Sequence, residues 1–267
     1  MRQRILTAIV LGIVLVGVLL YAPPVAVRAL FGLFVVGGAW EWAAFAGCTQ
    51  RYARLGFVLL IALLSVAGRA LIDNGVFGYE ALLRVAVCWW VLALLWLLIA
   101  PQRVNHLAAG VAALIALAPT WISLTHIVET WPRGSQWALF ILVLAFAADT
   151  GAYFAGRAFG RTKLAPQVSP GKTWEGVAGG LALAALAAFA GAHWFAQPVG
   201  PFMGLCLLAA GLSVVGDLTE SMFKRAAGVK DSGHLFPGHG GVLDRIDSTL
   251  AATPLMVLGL MLLGAGS

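Results

Sequence analysis

Three aspartates, Asp217, Asp244 and Asp247, stand where long apolar runs meet polar sequence. Asp217 directly follows one such run. Asp244 and Asp247 precede another, at an i, i+3 spacing that places both on one helical face. A carboxylate at the edge of a hydrocarbon layer is costly, and is usually paired, metal-bound or functional. Three of them from two adjacent helix ends repel one another unless a cation sits among them. Hard divalent ions such as Mg²⁺ take oxygen ligands of this kind and leave positions open for phosphate oxygens. The plainer alternative is structural pairing, of Asp217 with Lys224 or Arg225 and of Asp244 and Asp247 with Arg245.

Between these carboxylates lie Lys224, Arg225, Lys230 and Arg245, together with Gly228, Gly233, Gly238, Gly240 and Gly241. Glycines let backbone N–H groups converge on an anion, and Lys and Arg add charge and directed donors. A divalent ion beside a basic, glycine-rich loop suits a nucleoside triphosphate. A flexible, positively charged loop with no such role is the simpler reading.

Upstream, "SPGKTWEG" contains Gly171-Lys172-Thr173, but Pro166 stands where a P-loop requires its first glycine. Lys172 remains a candidate phosphate contact. Ser169, Lys172 and Thr173 either form an anion-binding helix start or merely cap the helix, with Glu175 in its first turn. Asp149 closes an apolar run, with Tyr153 on the same helical face; it is a site candidate, or else a structural hydrogen-bond acceptor. Glu41, between Trp40 and Trp42, reads as structural among interfacial anchors. His106, His126 and His193 are scattered, whereas His234 and especially His239 belong to the glycine loop.

These residues need elements to hold them, and composition says which. Of 267 residues, 61% are hydrophobic and only 10% charged, with a mean hydropathy of +0.93. A soluble domain carries about 25% charged residues, so the apolar excess here must face lipid. The expected class is an all-α polytopic integral membrane protein. The formal charge of +6 fits basic loops on one membrane face rather than nucleic acid. Cys48, Cys88 and Cys206 are too dispersed for a metal or disulfide framework. The basic, apolar N-terminus resembles a secretory signal, but its long uncharged run and Pro23-Pro24 favour a retained helix.

A ruler of about twenty apolar residues per crossing marks nine spans, 5–21, 25–45, 57–72, 85–100, 107–124, 137–155, 174–195, 202–218 and 249–263. Pro198 and Pro201, with Gly200, split the long uncharged stretch 176–216 into a hairpin. With the N-terminus in the cytoplasm, the inner segments hold Arg2, Arg4, Arg51, Arg54, Arg103, Arg157, Arg161, Lys163, Lys172, Lys224, Arg225, Lys230 and Arg245. Only Arg28, Arg69, Arg84 and Arg133 fall outside, which is the bias expected of cytoplasmic loops. The candidate chemistry then gathers on the inner face. Residues 1–136 read as a transmembrane scaffold of about five helices, and 137–267 as the catalytic region.

"SMFKRAAGVKDSGHLFPGHGGVLDRID" resembles the signature of the phosphatidate cytidylyltransferases, or CDP-diacylglycerol synthases. Ser221, Lys224, Arg225, Lys230, Asp231, Gly233, Pro237, His239, Gly240, Gly241, Asp244, Arg245 and Asp247 fill its fixed positions without a departure. "DTGAYFAGRAFG" and "SPGKTWEG" are similar to upstream stretches of that family. The resemblance implies attack by the phosphate of phosphatidic acid on the α-phosphorus of CTP, with Mg²⁺ required, to give CDP-diacylglycerol and pyrophosphate. It further implies Asp217 and Asp244 as metal ligands, with Asp247 a third ligand or supporting partner. Lys224, Arg225, Lys230, Arg245 and Lys172 would hold phosphates, and His239 would bond a phosphate or position the loop. Ser221, Asp231, Gly240, Gly241, Ser169, Asp149 and Tyr153 complete the expected substrate contacts. A bacterial inner membrane suits the composition, and a homodimer is compatible with it. A CTP-using polyprenol kinase is the nearest rival. A transporter would spread polar residues through the bilayer and show an inverted repeat; neither is evident.

Overall fold

The computed structural model describes residues 2–233 and 240–266. Among these, nine helices run in the order α1 (Arg2–Tyr21), α2 (Pro24–Phe45), α3 (Arg51–Asp73), α4 (Tyr79–Ile99), α5 (His106–Thr130), α6 (Gly134–Phe159), α7 (Trp174–Trp194), α8 (Val199–Ala226) and α9 (Leu243–Leu262). Eight of them, α2 to α9, are long and apolar enough to cross a membrane, and α1 contributes a shorter apolar stretch, Gly12–Tyr21. The helical multi-span class is therefore as expected. Between α6 and α7 lies a feature that hydropathy does not register, an antiparallel hairpin of β1 (Lys163–Ala165) and β2 (Ser169–Thr173).

Helix ends differ from the apolar ruler where charge begins. The ruler stops α8 at Leu218, but the helix continues to Ala226 and α9 starts at Leu243, six residues before the apolar run. Backbone hydrogen bonding does not stop where side chains become polar. As a result Asp217, Glu220, Ser221 and Lys224 form one stripe along α8, and Asp244 and Asp247 occupy the first turns of α9.

The interior is built from small residues. Ala109, Ala112, Ala113 and Ala116 are buried along one side of α5, letting neighbouring backbones approach closely. Helices α5 and α9 form the centre, with 67% and 61% of their apolar windows buried, whereas α3 and α4 bury 22% each and present the rest outward. Pro254 denies the Leu250 carbonyl its helical donor. Thr120 Oγ1 lies 3.2 Å from that carbonyl, so α5 satisfies the group that α9 leaves open.

Helices α6 and α7 pack antiparallel with almost no side-chain separation. A Cβ added at Gly180 would meet Ala148 O at 2.7 Å, and one at Gly176 would meet Ala152 O at 3.0 Å. On the other side, Gly216 of α8 lies against the Asp247 carbonyl of α9, with Ala251 Cβ 3.0 Å from where its own Cβ would be. These two tight pairs, α6–α7 and α8–α9, face each other and leave a cavity between them.

Candidate active site

The cavity has a volume of about 540 Å³ and is lined by α6, the β-hairpin, α7, α8 and α9. Its lining is divided. One part is charged: Asp149, Arg157, Lys172, Asp217, Lys224, Asp244, Arg245 and Asp247. The other is apolar: Ala148, Ala152, Val177, Leu181, Ala210 and Val214. Four carboxylates face four cationic side chains.

Each charged group has an identifiable support. Asp217 Oδ2 pairs with Lys172 Nζ at 2.5 Å, which ties α8 to strand β2. Ser221, one turn on, places its hydroxyl 3.4 Å from Asp217 Oδ1. Lys224 Nζ donates to Glu220 Oε2 at 2.6 Å and to Asp244 Oδ1 at 2.7 Å. The other oxygen of Asp244 accepts from Ser232 N (3.1 Å), Ser232 Oγ (3.0 Å) and Gly241 N (2.8 Å). Asp149 Oδ2 accepts from Ser248 Oγ at 2.7 Å, and Asp247 Oδ1 from Ser248 N at 2.7 Å. Asp247 is only 8% exposed, within electrostatic reach of Asp217, Glu220 and Asp149.

The ion pairs are thus neither of the simple alternatives. Asp217 meets Lys172 rather than Lys224 or Arg225, and Asp244 meets Lys224 rather than Arg245. Among the described residues, no three acidic, histidine or cysteine side chains already surround one point. Lysine ammoniums stand beside Asp217 and Asp244 and supply positive charge there.

Several expected substrate contacts lie elsewhere or do other work. Arg225 is exposed and donates from Nε to Val168 O at 3.2 Å, bracing the hairpin against α8. Ser169 opens strand β2 and pairs with Ala165. Thr173 is the cap of α7, its hydroxyl accepting from Gly176 N at 3.1 Å, so this helix start follows the capping alternative. Glu175 accepts from Arg161 N and Thr162 N, fixing the other end of the hairpin. Tyr153 lines the cavity and accepts from Arg157 Nη1 at 3.0 Å. Lys230 and Asp231 are exposed on the loop after α8, which turns at Gly228 with φ of +70°. Gly240, with φ of +81°, leads into Gly241. His234, Pro237, Gly238 and His239 lie outside the described residues.

One residue was missed, and another, Glu41, was read as structural without its partners. Glu220 is buried, pairs with Lys224, and has the Asp247 carboxyl within hydrogen-bond reach, while Oε1 finds no donor among the described residues; its i, i+4 spacing from Lys224 was the available signal. Glu41 of α2 reaches the same region, accepting from Val242 N, Leu243 N and Ser232 Oγ.

Comparison with known proteins bears on what such a site does. Residues 2–263 match the model of the Cytidylyltransferase family. A Pseudomonas aeruginosa protein named phosphatidate cytidylyltransferase is 42% identical over 276 residues, covering 100% of this chain and 99% of that one. A Haemophilus influenzae protein of the same name is also 42% identical, covering 95% and 96% of the two chains. One from Brucella suis is 36% identical, covering 97% and 92%.

Proposed function

This chain belongs to the cytidylyltransferase family, and we propose that it transfers CMP from CTP to phosphatidic acid, releasing pyrophosphate and forming CDP-diacylglycerol. The observation that carries the reading is the mixed lining of the cavity: charged side chains suited to phosphates, and apolar residues of α6, α7 and α8 suited to acyl chains. A soluble nucleotide and a membrane lipid both need such a surface, because one reactant arrives from water and the other from the bilayer. The basic-residue bias supports placing this end on the cytoplasmic side, and the bacterial relatives support an inner membrane.

Charge balance supports a divalent ion. Four acids and four bases line the cavity, so the site has no formal excess of positive charge with which to attract a triphosphate. Mg²⁺, when bound, would supply that charge and would offset negative charge on phosphate oxygens. The carboxylate chemistry of the lining suits an oxygen-seeking ion: Asp217 and Asp244 would hold it, with Asp247 a third ligand or supporting partner.

The chain's own residues do the remainder. Lys172 and Lys224 are compact charges on flexible stems, able to exchange a carboxylate for a phosphate as the nucleotide enters. Arg245, within electrostatic reach of Asp149, adds a planar donor fork. The phosphate of phosphatidate is already anionic near neutral pH, so the attack needs orientation rather than a general base.

The test is an assay of the purified protein with Mg²⁺, phosphatidate and CTP labelled in turn at the α- and γ-phosphorus. The proposal expects α-label in lipid and γ-label in pyrophosphate. Transfer of γ-label to a lipid hydroxyl would identify a kinase instead.

A further inference from the structure

Glu41 lies in the part of the chain whose sequence resembles a bare scaffold, yet its carboxylate, 6% exposed, is spent on the far end of the polypeptide. It accepts from Val242 N at 3.0 Å, Leu243 N at 2.8 Å and Ser232 Oγ at 2.8 Å. Val242, the residue that opens α9, offers no side-chain cap of its own. Glu41 therefore performs that duty from another helix, with a negative charge placed at a helix N-terminus.

The loop is shaped to receive it. A Cβ at Gly233 or Gly241 would collide with the Glu41 carboxylate, so both glycines close around it. Gly37 and Gly38 of α2 seat Val242, Leu243 and Ile246 in the same way, with a Cβ at Gly38 meeting Leu117, Ile246 and Leu243 side chains. Ser232 Oγ stands between two carboxylates, Glu41 at 2.8 Å and Asp244 at 3.0 Å. One more hydrogen bond links Asp244 to Lys224. Trp42, one residue along, packs on Phe223 at 5.5 Å, next to Lys224 in sequence.

We propose that Glu41 is a positioning residue for the transfer reaction: it caps α9 and grips the glycine loop, and so fixes where Asp244, Asp247 and Lys224 meet the cavity. It touches no reacting atom. The proposal rests on the cytidylyl-transfer reading for its kinetic consequence but not for its structural one.

The experiment pairs two readouts on full-length protein in detergent or nanodiscs, for Glu41→Gln, Ser232→Ala and the double variant. Glu41→Gln is expected to lower kcat about tenfold or more, as losing a buried, multiply used acceptor does, with KM for CTP and phosphatidate changed less than about threefold. Ser232→Ala should lower kcat less, and the double variant should lose less than the product of the two single effects, because both act partly through one shared link. Amide exchange in the substrate-free protein should accelerate at Ser232, Gly233 and Gly241–Leu243 and stay unchanged in α6 and α7. A lower unfolding temperature with wild-type kcat would reduce Glu41 to packing and overturn the proposal, as would unchanged exchange in the loop. If Glu41→Gln does not insert, Gly241→Ala, which drives a methyl into the same carboxylate, carries the same expectations. Absence of CMP transfer by the wild-type protein would overturn the reaction assigned above, while the exchange result would still decide the clamp.

Discussion

At one end of the bundle, Arg28, Arg69, Asp73 and Glu129 join α2, α3 and α5; at the other, Asp149, Lys172, Asp217, Glu220, Lys224, Asp244 and Asp247 join α6 to α9. The first group closes on itself. Glu129 takes Arg28 at 2.6 Å and Arg69 at 2.9 Å, one on each oxygen, and Arg69 also pairs with Asp73 at 2.8 Å. The second group, Glu220 apart, lines a cavity that also has apolar walls, and Glu220 is buried behind it with one oxygen that finds no donor among the described residues. The cations differ too. Arginine's planar fork holds a carboxylate in fixed geometry, whereas lysine is a point charge on a mobile stem. The pairs that brace are Arg-based, and the pairs facing the cavity, Lys172–Asp217 and Lys224–Asp244, are Lys-based. Similar charges thus form a closed clasp in one place and line a cavity in the other, where the proposed function has them exchange partners.

Variants at the two ends sharpen this contrast. The largest effect is expected of Asp217→Asn, which keeps shape and removes charge: turnover should fall by about 10²–10³-fold in a protein that still inserts and unfolds cooperatively, measured as CDP-diacylglycerol formed per enzyme. Lys172→Arg should cost about tenfold in kcat, because a guanidinium fork would hold Asp217 rather than release it; wild-type turnover would remove the exchange from the account. Smallest in activity, Arg69→Lys should leave kcat within about twofold and lower stability by about 1 kcal/mol, read as a lower unfolding temperature. A loss of turnover there would mean the two ends are coupled.

How much of this was legible in the sequence follows from what each feature depends on. The spans follow from hydropathy, since lipid forces every backbone group into a helix. Asp149, Asp217, Asp244 and Asp247 stood out because acids are rare in such surroundings, and all four line one cavity. The partners did not. Lys172 reaches Asp217 from a β-hairpin whose short strands carry no apolar period, and Arg225, expected on phosphate, turns to Val168 because that hairpin is beside it. Glu41 was read as structural, with flanking tryptophans as interfacial anchors; its partners lie about two hundred residues away. Gly37-Gly38 just before it was the available sign that another backbone comes close. The division into scaffold and catalytic region was likewise drawn without long-range contacts, of which the hydrogen bonds from the start of α9 to Glu41 of α2 are one.

The central claim is that the carboxylates at the cavity accept a metal-bound triphosphate once their lysines let go. The direct measurement is the unfolding temperature of the purified protein with Mg²⁺ alone, CTP alone and both together, in wild type and Asp217→Asn. A ligand that binds only the folded state raises that temperature. The account predicts a rise of several degrees for wild type when both are present, little for either alone, and none in Asp217→Asn. Equal stabilisation of wild type and variant would contradict it.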